Sequence, residues 1–230
     1  MKTDHTGSLK NTLLSLGAQE SNTVLDIGCG NGEYTFIIAQ KVKRAVGVDP
    51  DEKSVRLTSR NYKCKNLSFQ VARAESLEFS PNSFDKVIFC QSLHHVPIKF
   101  QLKALNEAWR VLKSHGILIV IEPIYGKGSL EEIYSLYHDE KEARHNARNA
   151  VGAIINDKFV LSLQKEIHIE ETCSGFEDLF ANSIQPKTYV KWNDSLRPEV
   201  IRILNTCAEI SGGEIVMEYF ATVWVLNKKM

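Results

Sequence analysis

Residues 24–32, Val-Leu-Asp-Ile-Gly-Cys-Gly-Asn-Gly, constrain the fold of this chain more than any other stretch. A short apolar run ends near an acid and is followed by three glycines spaced two apart. This pattern is typical of a buried strand that turns sharply into a helix, because glycine adopts backbone angles that other residues avoid and lets a ligand approach the backbone. The sequence therefore predicts a ligand-binding turn at residues 28–32.

Apolar runs alternate with amphipathic segments through the first half of the chain. The predicted strands are Thr23–Ile27, Arg44–Asp49, Asn66–Val71, Phe84–Cys90 and Ile117–Ile121. The predicted helices are Leu9–Leu16, Glu33–Val42, Asp51–Tyr62 and Ile98–Lys113, the last with an apolar stripe of Leu102, Leu105, Ala108, Trp109 and Leu112. Strands that alternate with helices at this spacing predict an α/β fold with a doubly wound, mostly parallel sheet.

Two later segments complete the predicted sheet. Residues 160–170 alternate apolar and polar side chains, as expected of an edge strand with one face in water, whereas residues 215–226 are apolar on both faces. We therefore expect the last strand to insert, antiparallel, between the fifth strand and the edge strand, which makes seven strands in all. Residues 176–184 and a helix over 197–210 would connect the last two strands.

A helical lid is predicted between strands five and six. Ser129 opens a helix with the capping-box sequence Ser-Leu-Glu-Glu. The first half of this helix is apolar, and its second half, residues 138–149, is almost entirely polar. A helix that loses its apolar face halfway along is expected to be a partly exposed flap.

Composition excludes several classes of function. Lys and Arg together number 28, as do Asp and Glu, so no net charge draws the chain onto nucleic acid or an anionic membrane. The apolar runs are too short to span a bilayer and the N-terminus lacks a signal-peptide core, so we expect a cytoplasmic protein. Five cysteines without a Cys-x-x-Cys pair argue against a disulfide framework and a zinc site.

The glycine pattern discriminates between nucleotide ligands. The dinucleotide fingerprint requires a third glycine where this chain has Glu33, and a glutamate in the first helical turn would repel a pyrophosphate. NAD is therefore disfavoured, and a zwitterionic or cationic nucleoside is favoured. Asp49, which ends the second strand, could accept hydrogen bonds from both ribose hydroxyls; the alternative is a solvated aspartate at a strand end.

Four motifs in order resemble the class I S-adenosylmethionine-dependent methyltransferases, in particular the small-molecule enzymes related to ubiquinone and menaquinone biosynthesis. The resemblance covers about residues 24–123. The matching stretches are residues 24–32, residues 47–50 (Gly-Val-Asp-Pro), residues 74–79 followed by 83–88, and residues 107–113 followed by 116–118. Together they imply a Rossmann-like methyltransferase fold, with residues 1–230 forming one domain. Within it, residues 1–123 would be the cofactor half, 124–212 the substrate lid and C-terminal elements, and 213–230 the final strand.

The resemblance also implies the chemistry and its residues. The chain would transfer a methyl group from S-adenosylmethionine to a small-molecule acceptor by in-line displacement, leaving S-adenosylhomocysteine. The implied cofactor-binding residues are Asp26 for the amino-acid end, the backbone of Gly28 and Gly30, Asp49 and Pro50 for the ribose, Ala74 and Glu75 for the adenine, and Cys90 and Gln91 for the methionine portion. Relatives often carry an acid where this chain has Arg73, which leaves the adenine contact to Glu75 or to the backbone.

A general base is needed only if the acceptor loses a proton during attack. The candidates are Glu122, Tyr125, His138 and His145, whereas a structural role is favoured for the pair His94-His95. His138, Glu142 and His145 are spaced for one face of a helix. A metal there would lack a fourth ligand, so we expect a solvated face and no metal.

The acceptor itself is expected to bind residues after Pro123. Segments 124–156 and 186–210 would cover it, and their side chains suit a flat or polar molecule: Tyr125, Tyr134, Tyr137, His138, His145, Tyr189 and Trp192. A protein or tRNA methyltransferase is the alternative, although the neutral charge and the absence of an Asn/Asp-Pro-Pro-Tyr/Phe sequence at residues 90–93 weigh against amine methylation in nucleic acid. A non-catalytic, cofactor-binding partner subunit is a third possibility.

Overall fold

The computed structural model describes residues 7–184, 192–210 and 212–229, which form two compact units. The larger unit contains Lys10–Glu122, Ala143–Lys165 and residues 222–229. The smaller unit contains Pro123–Glu142 together with residues 7–9, 166–184, 192–210 and 212–221. Tyr189 and the first residues of the 186–210 segment lie outside the described residues.

Strands and helices alternate along the chain as predicted. The strands are β1 (Thr23–Ile27), β2 (Arg44–Asp49), β3 (Leu67–Val71), β4 (Phe84–Cys90), β5 (Leu112–Pro123), β6 (Phe159–Cys173), β7 (Ala208–Ile210) and β8 (Glu214–Lys228). The helices are α1 (Ser8–Gly17), α2 (Glu33–Ala39), α3 (Glu52–Asn61), α4 (Ile98–Val111), α5 (Ser129–Tyr137), α6 (Lys141–Ile154), α7 (Phe176–Leu179) and α8 (Arg197–Leu204).

The strands form one mixed sheet in the order β3-β2-β1-β4-β5-β8-β6. The first five strands in this order are parallel, with Leu25 of β1 opposite Val46 of β2 and Val87 of β4. β8 lies antiparallel between β5 and β6, so the predicted insertion of the last strand is confirmed. Because the central strands are covered on both faces, their side chains are apolar almost without interruption.

An eighth strand was not expected. The predicted helix over 197–210 ends at Leu204, and β7 then pairs antiparallel with the start of β8, with Ala208 opposite Val216. Gly212 and Gly213 have φ angles of 101° and 75°, which allow the chain to reverse between the two strands. Residues 208–210 are extended because they pair with β8, which apolar periodicity within the predicted helix could not show.

Helix α4 buries Leu105 and Ala108 as predicted, but the predicted place of Leu102 in the apolar stripe is wrong. Leu102 is 47% exposed, and the neighbouring Gln101 is buried instead. The Gln101 side-chain amide donates to the carbonyl oxygens of Val96 and Ala143, each at 3.2 Å. A polar side chain is therefore stabilised in the interior, because it bonds backbone groups that hydrophobic patterning does not detect.

The predicted single helix over 129–149 is two helices. The Ser129 hydroxyl accepts a hydrogen bond from the backbone N–H of Glu218 at 3.1 Å, so the capping box does not form. The second half of the predicted helix, residues 138–149, falls mostly in α6 and is partly exposed: Lys141, Glu142 and His145 are exposed, whereas Arg144 and Ala147 are buried. In α6, Ala147, Val151 and Ile154 are buried in the hydrophobic core of the larger unit, because they recur at i, i+4 and i+7 within an otherwise polar sequence.

In the part of the chain that the structure describes, none of the helices combines the length and apolar character needed to cross a bilayer. None of the five cysteines, all of which lie among the described residues, forms a disulfide bond.

Candidate functional site

The glycine turn between β1 and α2 is bonded to the end of β2. Gly28, Gly30 and Gly32 have φ angles of 75°, 50° and 74°, a region that side chains with a Cβ rarely adopt. The backbone N–H groups of Gly28 and Cys29 both donate to the carbonyl oxygen of Val48, at 2.8 and 3.0 Å. The predicted turn is thus present, and its shape depends on glycine.

The three glycines differ in what lies beside them. A Cβ at Gly28 would lie 2.5 Å from the Cβ of Ser92, and one at Gly32 would lie 2.0 Å from Cγ2 of Thr58. These two positions are closed by the protein itself. A Cβ at Gly30 would have no heavy atom within 4 Å, so the turn is open at Gly30 and a ligand can approach its backbone there.

Asp49 connects the end of β2 to this open position. Its Oδ2 accepts from the backbone N–H of Gly30 at 3.0 Å, and its Oδ1 accepts from the N–H of Asp51 at 2.9 Å. A carboxylate oxygen can accept more than one hydrogen bond, so both oxygens keep capacity for a ligand hydroxyl. Pro50, the next predicted residue, is exposed.

Asp26 is a buried acid at the other side of the turn. It is 3% exposed, and its Oδ2 accepts from the Thr35 hydroxyl at 2.5 Å. Burial raises the pKa of Asp26 to about 6, the Thr35 hydrogen bond opposes this rise, and the negative charge of Asp49 adds to it. A cation beside Asp26 would favour its ionised form, so the pair of acids is suited to a positively charged ligand.

Cys29 lies within the same turn but is not activated. Burial raises the pKa of its thiol, and the charges of Asp26 and Asp49 raise it further. The side chain is therefore a neutral thiol at physiological pH, not a thiolate nucleophile.

The segment after β3 contains the residues predicted to meet adenine. The N–H of Ala72 donates to the carbonyl oxygen of Asp49 at 3.1 Å, and the N–H of Ser76 donates to that of Arg73 at 3.0 Å, which closes a tight turn. Within this turn Ala74 and Glu75 are buried. The Arg73 side chain is largely exposed, and its Nη1 lies 3.9 Å from Oε1 of Glu75.

The end of β4 is held between β1 and β5. Gln91, which follows the partly buried Cys90, has a φ of 53°, and its N–H donates to the carbonyl oxygen of Ile121 at 2.7 Å. The Ser92 hydroxyl donates to the carbonyl oxygen of Ile27 at 2.6 Å. Ser92 thus bonds the end of β1 directly before the glycine turn, and the predicted residues Cys90 and Gln91 immediately precede Ser92 in the chain.

Glu122, a predicted base candidate, lies at the end of β5 and is completely buried. Its Oε1 accepts from the N–H of Leu93 at 2.9 Å, and its Oε2 bonds Nδ1 of His94. Both oxygens thus support the turn that follows β4. This geometry agrees with the structural role predicted for His94, and it gives Glu122 a positioning role that the sequence did not suggest.

The other base candidates lie apart along the chain. Tyr125 and His138 belong to the smaller unit, where Lys141 Nζ lies 5.9 Å from the Tyr125 ring centroid and His138 Nε2 lies 3.1 Å from Oε1 of Glu140. His145 is exposed on α6, in the larger unit. The predicted common helix face of His138, Glu142 and His145 is wrong, because α5 ends at Tyr137 and α6 begins at Lys141.

An aromatic cluster lies within the smaller unit. The half-buried Trp192 ring is centred 5.9 Å from Tyr137, 5.8 Å from Phe176 and 5.3 Å from Phe180. Tyr134 contacts Tyr137 edge to face. The sequence predicted the tyrosines and Trp192 as residues that cover the acceptor but did not single out Phe176 and Phe180, which lie in α7 and directly after it.

Thr35 and Ser92 are polar side chains of the site that the sequence did not single out. Thr35 bonds Asp26, and Ser92 bonds the carbonyl of Ile27 just before the glycines. The available signal for Thr35 was its place two residues after Glu33, on the first turn of the helix that the glycines introduce.

Comparison with known proteins identifies the family. A family model described as a methyltransferase domain matches residues 25–120, a region that contains the glycine turn, Asp49 and the end of β4. The ubiquinone/menaquinone biosynthesis C-methyltransferase of Rickettsia bellii is 34% identical in an alignment of 181 positions, and the match covers 69% of this chain and 70% of that protein. This chain belongs to the class I S-adenosylmethionine-dependent methyltransferases.

Two further comparisons show similarity to a second curated relative over part of the sequence and to a solved structure in fold. The demethylmenaquinone methyltransferase of Lactococcus lactis is 31% identical over 126 residues, covering 50% of this chain and 49% of that protein. The chain spans about half the length of several such curated relatives. The solved structure of the YcgJ protein from Bacillus subtilis has a TM-score of 0.66 and 19% identity, covering 98% of this chain and 100% of that chain, which supports the methyltransferase fold.

Glu122 provides a test of the buried turn after β4. We expect Glu122→Ala to lower the free energy of unfolding by about 3 kcal/mol, because it leaves the Leu93 N–H and His94 without their buried acceptor. Glu122→Gln should cost less, since its amide oxygen still accepts one hydrogen bond. Urea unfolding measures both, with the exposed Glu78→Ala as the control. An Ala variant as stable as the wild type would contradict the positioning role.

Asp26 should make the stability of the ligand-free protein depend on pH. Its pKa rises from 3.8 to about 6 on folding, so its stabilising contribution is complete below 3.8 and is lost as pH rises through 6, by about 3 kcal/mol in total. Asp26→Asn does not titrate. We expect it to be more stable than the wild type at pH 7.5, and this advantage should shrink at pH 4.5. An advantage of equal size at both values, by urea unfolding, would refute the assignment.

Proposed function

We propose that this protein transfers a methyl group from S-adenosylmethionine to a small-molecule acceptor. The observation that carries the proposal is the glycine turn, open only at Gly30 among its three glycines and flanked by the carboxylates of Asp26 and Asp49. Membership of the methyltransferase family supports the same conclusion. The acceptor class is supported by relatives whose names specify a small molecule.

The residues of the turn fit this cofactor better than a phosphate-bearing one. S-adenosylmethionine carries an ammonium and a sulfonium and no phosphate, and it would supply an electrophilic methyl group. Glu33 in the first turn of α2 opposes a pyrophosphate by charge, whereas the buried Asp26 carboxylate gains stabilisation from a neighbouring cation. The charge pattern around the turn therefore favours the cationic nucleoside.

In this proposal each predicted residue has a separate task. Asp26 orients the amino-acid end, and the backbone at Gly28 and Gly30 packs against the ligand, which approaches the turn on the side that is open at Gly30. Asp49, with Pro50 beside it, accepts from the ribose hydroxyls. The Ala74-Glu75 turn contacts the adenine, and Cys90 and Gln91 border the methionine portion.

Catalysis in this proposal comes mainly from orientation. Holding an acceptor in line with the bond to the transferred methyl group can supply several kcal/mol of the barrier without a covalent step. The neutral Cys29 thiol agrees with residues that position the reacting groups and do not react themselves, and both Glu122 oxygens bond the turn after β4. Glu122, Tyr125, His138 and His145 stay predictions for a base, needed only where the acceptor must lose a proton.

The acceptor is proposed to be flat and at least partly aromatic. The aromatic rings around Trp192 in the smaller unit support this, because such rings stack on planar molecules. In the proposed division of labour, residues 1–123 bind the cofactor, 124–212 recognise the acceptor, and 213–230 complete the sheet within one methyltransferase domain.

Labelled methyl transfer tests the proposal. Purified protein is incubated with S-adenosylmethionine labelled in its methyl group and with a cell extract separated into metabolite, protein and RNA fractions. We expect label in the metabolite fraction. Label confined to protein or RNA would favour a macromolecular methyltransferase. Cofactor binding without labelled product in any fraction would favour a non-catalytic partner subunit and overturn the enzyme assignment.

Asp49 offers a direct test of the ribose contact. We expect Asp49→Ala to weaken S-adenosylmethionine binding by about 1–3 kcal/mol, because it removes charge-assisted hydrogen bonds to the ligand and the acceptor for the Gly30 N–H. Isothermal calorimetry measures the change. Asp51→Ala is the matched control, since Asp51 is exposed and its carboxylate bonds only the start of α3. Equal affinity of the Asp49 variant and the wild type would rule out the contact.

A further inference from the structure

The segment between β3 and β4 is fixed at two points on either side of the Ala74-Glu75 turn. At its start, the N–H of Ala72 donates to the carbonyl oxygen of Asp49 at 3.1 Å. At its end, the N–H of Leu77 donates to Oε2 of Glu107 at 2.9 Å. The first bond connects the segment to β2, whereas the second connects it to α4, which is distant in sequence.

Arg110 strengthens the second connection. Its Nη1 donates to the carbonyl oxygen of Phe79 at 2.6 Å, and its Nη2 donates to that of Leu77 at 2.8 Å. Glu107 and Arg110 therefore bond both the N–H and the C=O of Leu77, whose side chain is buried. Two side chains of one helix thus fix the backbone of the segment in position and direction.

The two side chains also fix each other. Arg110 Nε donates to Glu107 Oε1 at 2.7 Å, and Arg110 Nη2 donates to Glu107 Oε2 at 2.8 Å. This bidentate ion pair holds the guanidinium and the carboxylate in one plane. The Arg110 hydrogen bonds hold the pKa of Glu107 below its usual range, so the pair is ionised at physiological pH. Lysine cannot reproduce this geometry, because it lacks the planar fork.

Helix packing alone does not require this pair. Leu105 and Ala108 supply the buried contacts of α4, and a solvent-facing Glu-x-x-Arg pair on a helix contributes little to stability. Here the pair makes three hydrogen bonds to the backbone of the 77–79 segment. Its geometry is thus specific to holding that segment.

We propose that Glu107 and Arg110 are positioning residues that determine how tightly and how selectively the Ala74-Glu75 turn recognises the adenine base. This inference rests on the proposed function. With Ala72 and Leu77 both held, the four residues between them have little freedom, so Glu75 is fixed before the ligand binds. Loosening Leu77 would let the turn shift and would relax the choice of base.

The test compares two ligands that differ at one position of the base. S-adenosylhomocysteine carries an amino group that an acidic side chain can accept from, whereas S-inosylhomocysteine carries a carbonyl oxygen there. Calorimetry gives the ratio of the two dissociation constants for the wild type, Glu107→Gln and Arg110→Lys. We expect the wild type to prefer the adenine ligand. In both variants this ratio of dissociation constants should fall about tenfold, which corresponds to about 1.4 kcal/mol.

The chain offers a matched control. Glu199 and Arg202 form a Glu-x-x-Arg pair on α8, with Oε1 and Nη2 separated by 2.8 Å, and Arg202 also donates to the side chain of Glu132 at 3.2 Å. Glu199→Gln and Arg202→Lys should leave the ligand ratio unchanged. Thermal unfolding of all four variants separates folding defects from recognition, and Arg110→Lys, which keeps its charge, carries the test if Glu107→Gln does not fold.

The outcomes separate this inference from the function on which it rests. A Glu107 or Arg110 variant that is less stable but keeps the wild-type ratio would assign the pair a purely structural role and overturn the inference alone. A wild type that binds both ligands equally would overturn it as well. A wild type that binds neither ligand would overturn the proposed function, and the inference with it.

Discussion

The two hydrogen bonds that the Val48 carbonyl accepts from Gly28 and Cys29 are the contact on which the rest of the site depends. They draw the glycine turn onto the end of β2, which brings the Gly30 N–H to the Asp49 carboxylate. The side of the turn that remains open is then determined by Ser92 and Thr58, which fill the space beside Gly28 and Gly32. The positions of the side chains at this site thus depend on hydrogen bonds of the backbone.

The site retains a buried acid that folding alone would disfavour. Asp26 is desolvated, it accepts a hydrogen bond from the Thr35 hydroxyl, and burial raises its pKa to about 6. A side chain in this state destabilises the empty protein at neutral pH and gains most when a cation arrives. Such a trade between stability and binding is common at functional sites, where local rules of good packing are broken. Glu122 is the contrasting case, a buried acid satisfied on both oxygens by the protein itself.

Most of the sheet could be predicted because a buried strand is visible in the sequence as a run of apolar residues that are contiguous in the chain. The apolar runs of β1, β2 and β4 and the two-faced pattern of β8 were sufficient to predict a mostly parallel sheet and the insertion of the last strand. Gln101, α6 and β7 could not be predicted in the same way. Gln101 is buried because its amide meets Val96 and Ala143, and α6 packs through a narrow stripe in a polar sequence. Both depend on neighbours that are remote along the chain.

The sequence by itself determined the glycine turn, the acid Asp49 at the end of β2 and the parallel direction of the central strands. Turn-forming residues and hydrophobic periodicity are properties of contiguous residues. Only the tertiary structure decided that Gly30 is the open glycine, that Glu122 supports the turn after β4, and that Glu107 and Arg110 hold the backbone near Leu77. These features are hydrogen bonds and contacts between segments about 30 or more residues apart. No local pattern encodes them, since the partner becomes available only when the sheet has formed.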